Sequence, residues 1–393
     1  VLGDKRFIRT IRLTNLLSFG PKTEETELLG LNVLIGPNGS GKSNLIEAIS
    51  LLQACPRDLQ VPIRAGGGVA EWLWKGGRGA PEAGIEVTIP FSQPSTPLRH
   101  SLSFTAVAFR FELTAETIGL KPEFSTATQV KYENLRGTAR IASVQAEYRT
   151  LRPGEFSSDQ SVVSQVKAVD VYPEITYLGR EYDGIRLYRG WYTGAQSGLR
   201  QPQRPDLPPD FLLEDASNLC LVVNDLERRV DMRRILIDRL REFHEPIMDF
   251  HVGVYGGRLQ LSLRERDLTE MIPASRLSDG TLRFLCLLAI LCHPSPPPLI
   301  CIEEPEIGLH PDILPTVADL LVEASHRTQL IVTTHSEALV DALTETPEAV
   351  VVCEKEEGST TMRRLNRDAL KEWLERYTLG PLWSKGQLGG NRW

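Results

Sequence analysis

The chain has no long apolar run. Its longest, residues 284–292, is too short to cross a bilayer, so no membrane span is expected. It also has no excess of positive charge. Lys and Arg number 44 against 51 Asp and Glu, a net charge of −7. That excludes a globally basic nucleic-acid binder and leaves room only for a local basic surface. Paired cysteines are missing: those at 55, 220, 286, 292, 301 and 353 form no CxxC pair and no metal-ligand spacing. Several stand in apolar runs, where a cysteine usually packs as a small hydrophobe, and a reduced, cytoplasmic compartment is the simplest fit. No signal peptide is expected, because Arg6, Arg9 and Arg12 interrupt any apolar stretch near the N-terminus. Sustained heptads are absent too, so no long coiled coil is encoded.

What is present begins with residues 36–43: Gly36, Pro37, Asn38, Gly39, Ser40, Gly41, Lys42 and Ser43, followed by Asn44. The apolar run 31–35 precedes them, and Leu45, Ile46, Ala48, Ile49 and Leu52 follow at helical spacing. Strand, glycine-rich turn and helix in that order are the setting of a phosphate-binding loop. Glycines let the backbone curl so that several N–H groups converge on phosphate oxygens at the positive end of the new helix. Lys42 can reach the outer phosphates as a point charge, and the Ser43 hydroxyl is placed to ligate Mg²⁺.

With 393 residues, 41% of them hydrophobic, the chain can bury a sizeable core in one large or two modest domains. Strand patterns are expected within 5–19, at 25–29 and at 85–91, 102–113, 129–133 and 144–148. A shift of phase between Phe104 and Val107 predicts a bulge or break. The glycine clusters at 66–68 and 76–77 predict a surface loop, and 193–210 a connector. A helix is expected at 219–245, where Asp231 and Asp238 each stand three residues before an arginine. That spacing favours a solvated, ion-paired helix over a DNA-facing arginine stripe. A hairpin at 249–264 follows, then helices at 281–292, 312–325 and 336–343 alternating with strands at 299–302, 330–333 and 349–352. The alternation predicts an α/β fold, a largely parallel sheet shared by the phosphate loop and this late block. The expected division is a head formed by 1–113 and 216–393, with a strand-rich inserted lobe or connector at 114–215.

Polar groups cluster where strands end and helices begin. Ser278 and Gly280 lie in the turn Arg276-Leu-Ser-Asp-Gly-Thr281, at a helix N-terminus that suits an anion. Glu303 and Glu304 end an apolar strand, where one carboxylate can hold Mg²⁺ and its neighbour can orient an attacking water. His335 directly follows another apolar strand. Open α/β sheets bind ligands at the carboxyl ends of their strands.

In this order the motifs resemble those of ABC-type ATPases of the RecF/SMC branch, closest to stand-alone prokaryotic predicted ATPases. Residues 36–43 match the Walker A loop of a P-loop NTPase and 277–281 the ABC signature. Residues 299–304 match Walker B with the catalytic glutamate, 307–310 the D-loop region, and His335 the switch histidine. The tail from Leu379 is similar to the ends of those proteins, whereas the middle of the chain is matched only loosely. The resemblance implies a homodimer enclosing two ATP, with Ser278, Asp279 and Gly280 of one subunit facing the phosphate loop of the other. It assigns Mg²⁺ to Ser43 and Glu303, and catalysis to Glu304, His335 and Lys42. Asp279 and Thr281 depart from the commonest signature, LSGGQ, and Glu303 stands where Asp is usual. Gln93 is a candidate for the Q-loop glutamine. The branch implies DNA repair, chromosome maintenance or phage defence. An ATP-gated regulator of a partner such as a nuclease is the alternative, and a transporter subunit fits less well. Too few residues follow Val352 for the nuclease domain that OLD-type relatives carry.

Overall fold

The computed structural model describes residues 5–77, 81–92, 96–121, 129–144, 147–152, 155–157 and 159–390. Its central sheet has six strands, in the order Arg186–Tyr188, Leu299–Glu303, Gln329–Thr333, Leu31–Ile35, Val350–Glu356 and Ser359–Arg364. The first five run parallel and the last closes an antiparallel hairpin. Strand Leu31–Ile35 is buried at every position, because both faces of the sheet are covered. Successive side chains point to opposite faces. Leu31, Val33 and Ile35 enter the core that holds helices Asp279–Leu291 and Leu314–Ala324. Leu34 enters a second core, with helix Lys42–Ala54 and the second sheet. Leu299 and Cys301 alternate with Ile300 and Ile302 between the same two cores.

The second sheet is antiparallel and eight-stranded. Its order is Thr26–Glu27, Thr10–Thr14, Ala83–Ser92, Thr96–Val107, Arg110–Leu120, Gln129–Leu135, Thr138–Ala142 and Tyr148–Thr150. The strand-rich middle of the chain therefore continues a sheet begun at the N-terminus. The boundary expected at 113/114 falls inside strand Arg110–Leu120. The strand expected over 102–113 is instead two, parted by a turn at Ala108 and Phe109, with a register shift between Ser103 and Phe104. The region expected as a surface loop contains helix Val69–Trp72, whose Trp72 is buried because it packs into the second core. The strand expected at 144–148 is replaced by the last two strands of the sheet, and residues 145–146 lie outside the described set.

The expected helix 219–245 is broken into Leu219–Glu227 and Val230–Phe243. Four of its six arginines are ion-paired: Arg233 with Asp249 at 2.7 Å, Arg239 with Glu242 at 3.0 Å, Arg229 with Asp225 at 3.1 Å, and Arg241 with Asp238 at 3.9 Å, the second of the two expected pairs. Among the described residues no ion pair joins Asp231 to Arg234. These helices cover a three-stranded sheet, Ile247–Tyr255, Arg258–Glu265 and Ile272–Pro273, which leads into helix Asp279–Leu291. Among the described residues the longest helix has 14 residues, and no coiled coil is present.

Candidate nucleotide site

Strand Leu31–Ile35 ends at the phosphate loop, and helix Lys42–Ala54 starts directly after it. Two glycines are required there by their neighbours. A Cβ at Gly36 would lie 2.2 Å from the Cys353 carbonyl oxygen; one at Gly41 would lie 2.2 Å from Thr360 Oγ1. Both also have positive φ, 147° and 102°. Thr360 fastens the loop, donating to the Ser40 carbonyl at 2.8 Å while its oxygen accepts from the Ser18 hydroxyl at 2.7 Å. The helix has no side-chain cap at its N-terminus, and the buried Ser40 hydroxyl has no partner. Uncapped N–H groups and an orphaned hydroxyl fit an incoming phosphate. Lys42 is buried and donates to the carbonyls of Gly36 at 2.8 Å and Pro37 at 3.1 Å. Burial lowers its pKa, while Cys353, Glu304 and Glu306 oppose that shift.

The parallel strands bring further groups to the same edge. Glu303 ends strand Leu299–Glu303, with the Ser43 hydroxyl near enough to favour its charged form. Burial raises its pKa, against Ser43 and the Arg189 guanidinium, whose Nε lies 3.7 Å away. One hydroxyl and one carboxylate side by side fit Mg²⁺, which usually keeps waters and takes substrate phosphates as its other ligands. Among the described residues no group of three or more His, Cys, Asp or Glu could cage a metal.

Glu304 has a φ of 47°, the left-handed region unusual for a side-chain-bearing residue. Its N–H bonds the Thr333 carbonyl at 2.9 Å, and its carboxylate lies 3.7 Å from His335 Nε2. Burial, then the charge of Lys42, holds the His335 imidazole below its ordinary 6.5, with Glu304 and Glu306 pulling the other way. Lys42, Ser43, Glu303, Glu304 and His335 thus stand at the carboxyl ends of three adjacent strands.

The turn 276–281 lies elsewhere. Ser278 caps helix Asp279–Leu291, accepting from the Thr281 N–H at 3.0 Å. A Cβ on Gly280 would lie 2.8 Å from the Gly308 carbonyl oxygen, so the segment at Gly308 passes directly against it. A cleft of about 710 Å³ opens beside this turn, lined by Ser278, Gly280, Thr281, Gly308 and His310 but by no residue of 36–43. Among the described residues no hydrogen bond or ion pair joins 277–281 to 36–43.

Sequence reasoning missed Arg189, Thr360 and the orienting role of Glu306. Arg189 follows Arg186–Tyr188, an edge strand of three residues that leaves almost no periodic signal. Gln93 lies outside the described residues.

Comparison with known proteins agrees with this geometry. Residues 31–341 match the family described as "AAA domain, putative AbiEii toxin, Type IV TA system". The chromosome partition protein Smc of Synechocystis is 33% identical over 82 residues, 21% of this chain but only 7% of that protein. An Smc head bound to the C-terminal winged-helix domain of ScpA superposes with a TM-score of 0.56 at 13% identity, covering 92% of this chain and 99% of the other. The Smc head of Pyrococcus furiosus, bound to the C-terminal domain of ScpA, gives 0.53 at 13% identity, covering 94% and 98%. At such identities the superpositions establish the fold: an α/β ATPase head of the SMC type. No helix among the described residues is long and apolar enough to cross a membrane.

Proposed function

The chain belongs to this AAA-domain family, and on that premise we propose that it binds and hydrolyses ATP as a dimer enclosing two nucleotides. The carrying observation is the split site. Lys42, Ser43, Glu303, Glu304 and His335 share one sheet edge, while Ser278 and Gly280 face a separate cleft. In this reading Lys42 and the loop amides hold the phosphates. Ser43 and Glu303 would hold Mg²⁺, which when bound offsets negative charge on the transferring phosphoryl group. Glu304 aligns and deprotonates the attacking water, its position set by the unusual backbone angle. His335, held neutral, contacts the γ-phosphate. The second subunit's signature turn completes the site, so ATP joins the subunits and hydrolysis releases them.

The biological setting we propose is DNA maintenance or phage defence, supported by the Smc relative and by the toxin–antitoxin wording of the family description. A second reading, an ATP-gated head that docks a partner protein such as a nuclease, draws support from the ScpA-bound Smc heads.

The test is Glu304→Gln, which is nearly isosteric and leaves Glu303 in place. ATP binding is expected to persist while hydrolysis falls on the order of 10²-fold or more. Light scattering should then show a monomer that becomes a dimer on adding ATP. Lys42→Ala, the companion variant, should lose nucleotide binding. Wild-type turnover in Lys42→Ala, or a Glu304→Gln dimer indifferent to nucleotide, overturns the reading.

A further inference from the structure

Asp279 stands where the commonest signature has glycine. Its carboxylate occupies the first turn of helix Asp279–Leu291, the end proposed above to meet the partner subunit's nucleotide. A carboxylate suits a helix N-terminus but repels a polyphosphate. Arg200, 79 residues earlier in the chain, answers that charge. Its Nη2 donates to Asp279 Oδ1, and its Nη1 donates to the Leu277 carbonyl at 2.6 Å, with longer contacts to the Ser275 and Ala274 carbonyls at 3.4 and 3.5 Å. Nε donates to the Thr193 carbonyl at 2.7 Å. The Arg200 side chain is 12% exposed and that of Asp279 61%, so the guanidinium lies beneath the turn and the carboxylate above it. Arg283, on the signature helix, donates to the Trp191 carbonyl, two residues before Thr193, at 3.1 Å.

We infer that Arg200 is the positioning residue that makes the signature turn able to receive the partner's nucleotide. It neutralises Asp279 and fixes the Leu277 carbonyl, so that Ser278 and Gly280 present an anion site rather than a carboxylate. The planar fork explains arginine here, since a lysine ammonium could not address three directions from one buried plane. This inference rests on the ATP-sandwich reading.

The experiment measures ATP-dependent dimerisation by light scattering in Glu304→Gln, alone and combined with Arg200→Met, Asp279→Asn or both. Arg200→Met should weaken the ATP-dependent dimer on the order of tenfold or more, with nucleotide binding to the monomer unchanged. Adding Asp279→Asn should recover most of that loss, which a purely structural anchor does not predict. An undiminished dimer in Arg200→Met, or no recovery in the combined variant, overturns the inference alone. Absence of any ATP-dependent dimer in Glu304→Gln itself overturns the sandwich reading, and this inference with it. Should Arg200→Met not fold, Asp279→Asn decides: with Arg200 retained the dimer should tighten, and a weaker dimer overturns the inference.

Discussion

Glu306 has one carboxylate oxygen occupied and one buried without a partner. Oε1 accepts from Thr334 Oγ1 at 2.7 Å and from the His335 N–H at 2.8 Å, which holds the His335 backbone; Oε2 is the orphan. A second histidine, His293, sits just past the C-terminal end of helix Asp279–Leu291 and is buried edge-on against Phe211. Burial lowers its pKa from 6.5, and the nearby Arg229 and Arg327 charges add to this. The folded state therefore binds its proton less readily than the unfolded chain does. Its contribution to stability is intact above 6.5 and is lost as pH falls through the lowered folded value. Going from about pH 7.5 to about pH 5.5, the drop in urea midpoint should be smaller in His293→Gln than in wild type. Equal drops would show that His293 carries none of the acid sensitivity.

At the scale of elements, the phosphate loop is held by the hairpin Val350–Glu356/Ser359–Arg364. Thr360 reaches Ser40, the Ser359 hydroxyl accepts from the Gly20 N–H at 2.8 Å, and the Cys353 carbonyl closes on Gly36. The C-terminal segment joins this support, with the Gly390 N–H on Glu354 Oε1 at 2.8 Å. Central strand Gln329–Thr333 is tied to the antiparallel sheet by one buried amide. Gln329 Oε1 accepts from the Ile8 N–H at 2.8 Å, and its Nε2 donates to the carbonyls of Ile8 at 2.8 Å and Leu29 at 3.0 Å. Gln329→Leu would strand the buried Ile8 N–H and C=O, for which no apolar side chain can substitute. The expected cost is roughly 2–4 kcal/mol in denaturant unfolding. A loss below ~1 kcal/mol would mean that water or a shifted strand replaces these bonds.

For the whole molecule, two cores share one sheet, so the central strands pack on one face against the antiparallel sheet and on the other against helix Asp279–Leu291. The chain's net charge of −7 means that duplex DNA would have to be met by a local basic face brought together on dimerisation. Many arginines of helix Val230–Phe243 and its approach already face carboxylates, which narrows that surface further. If DNA is the partner, binding should require ATP and weaken steeply with salt. Titration of labelled duplex into Glu304→Gln, with and without ATP at two salt concentrations, reads both. Absence of binding in every condition would favour the partner-protein reading.

The strand–turn–helix around residues 36–43, the places of Glu303, Glu304 and His335 at the ends of buried strands, and the parallel α/β alternation were legible in the sequence, because each is a local pattern whose geometry spans one strand–turn–helix unit. The expected sharing of one sheet by the loop and the late block is likewise what the strand order shows. Tertiary structure alone decided that the middle strands extend the N-terminal sheet, since alternation reports a half-buried strand but not which edge it joins. It also decided the contacts of Thr360, Arg189 and Arg200. Their partners lie 320, 114 and 79 residues away, and nothing in an isolated threonine or arginine specifies which distant carbonyl or carboxylate the folded backbone will bring within reach.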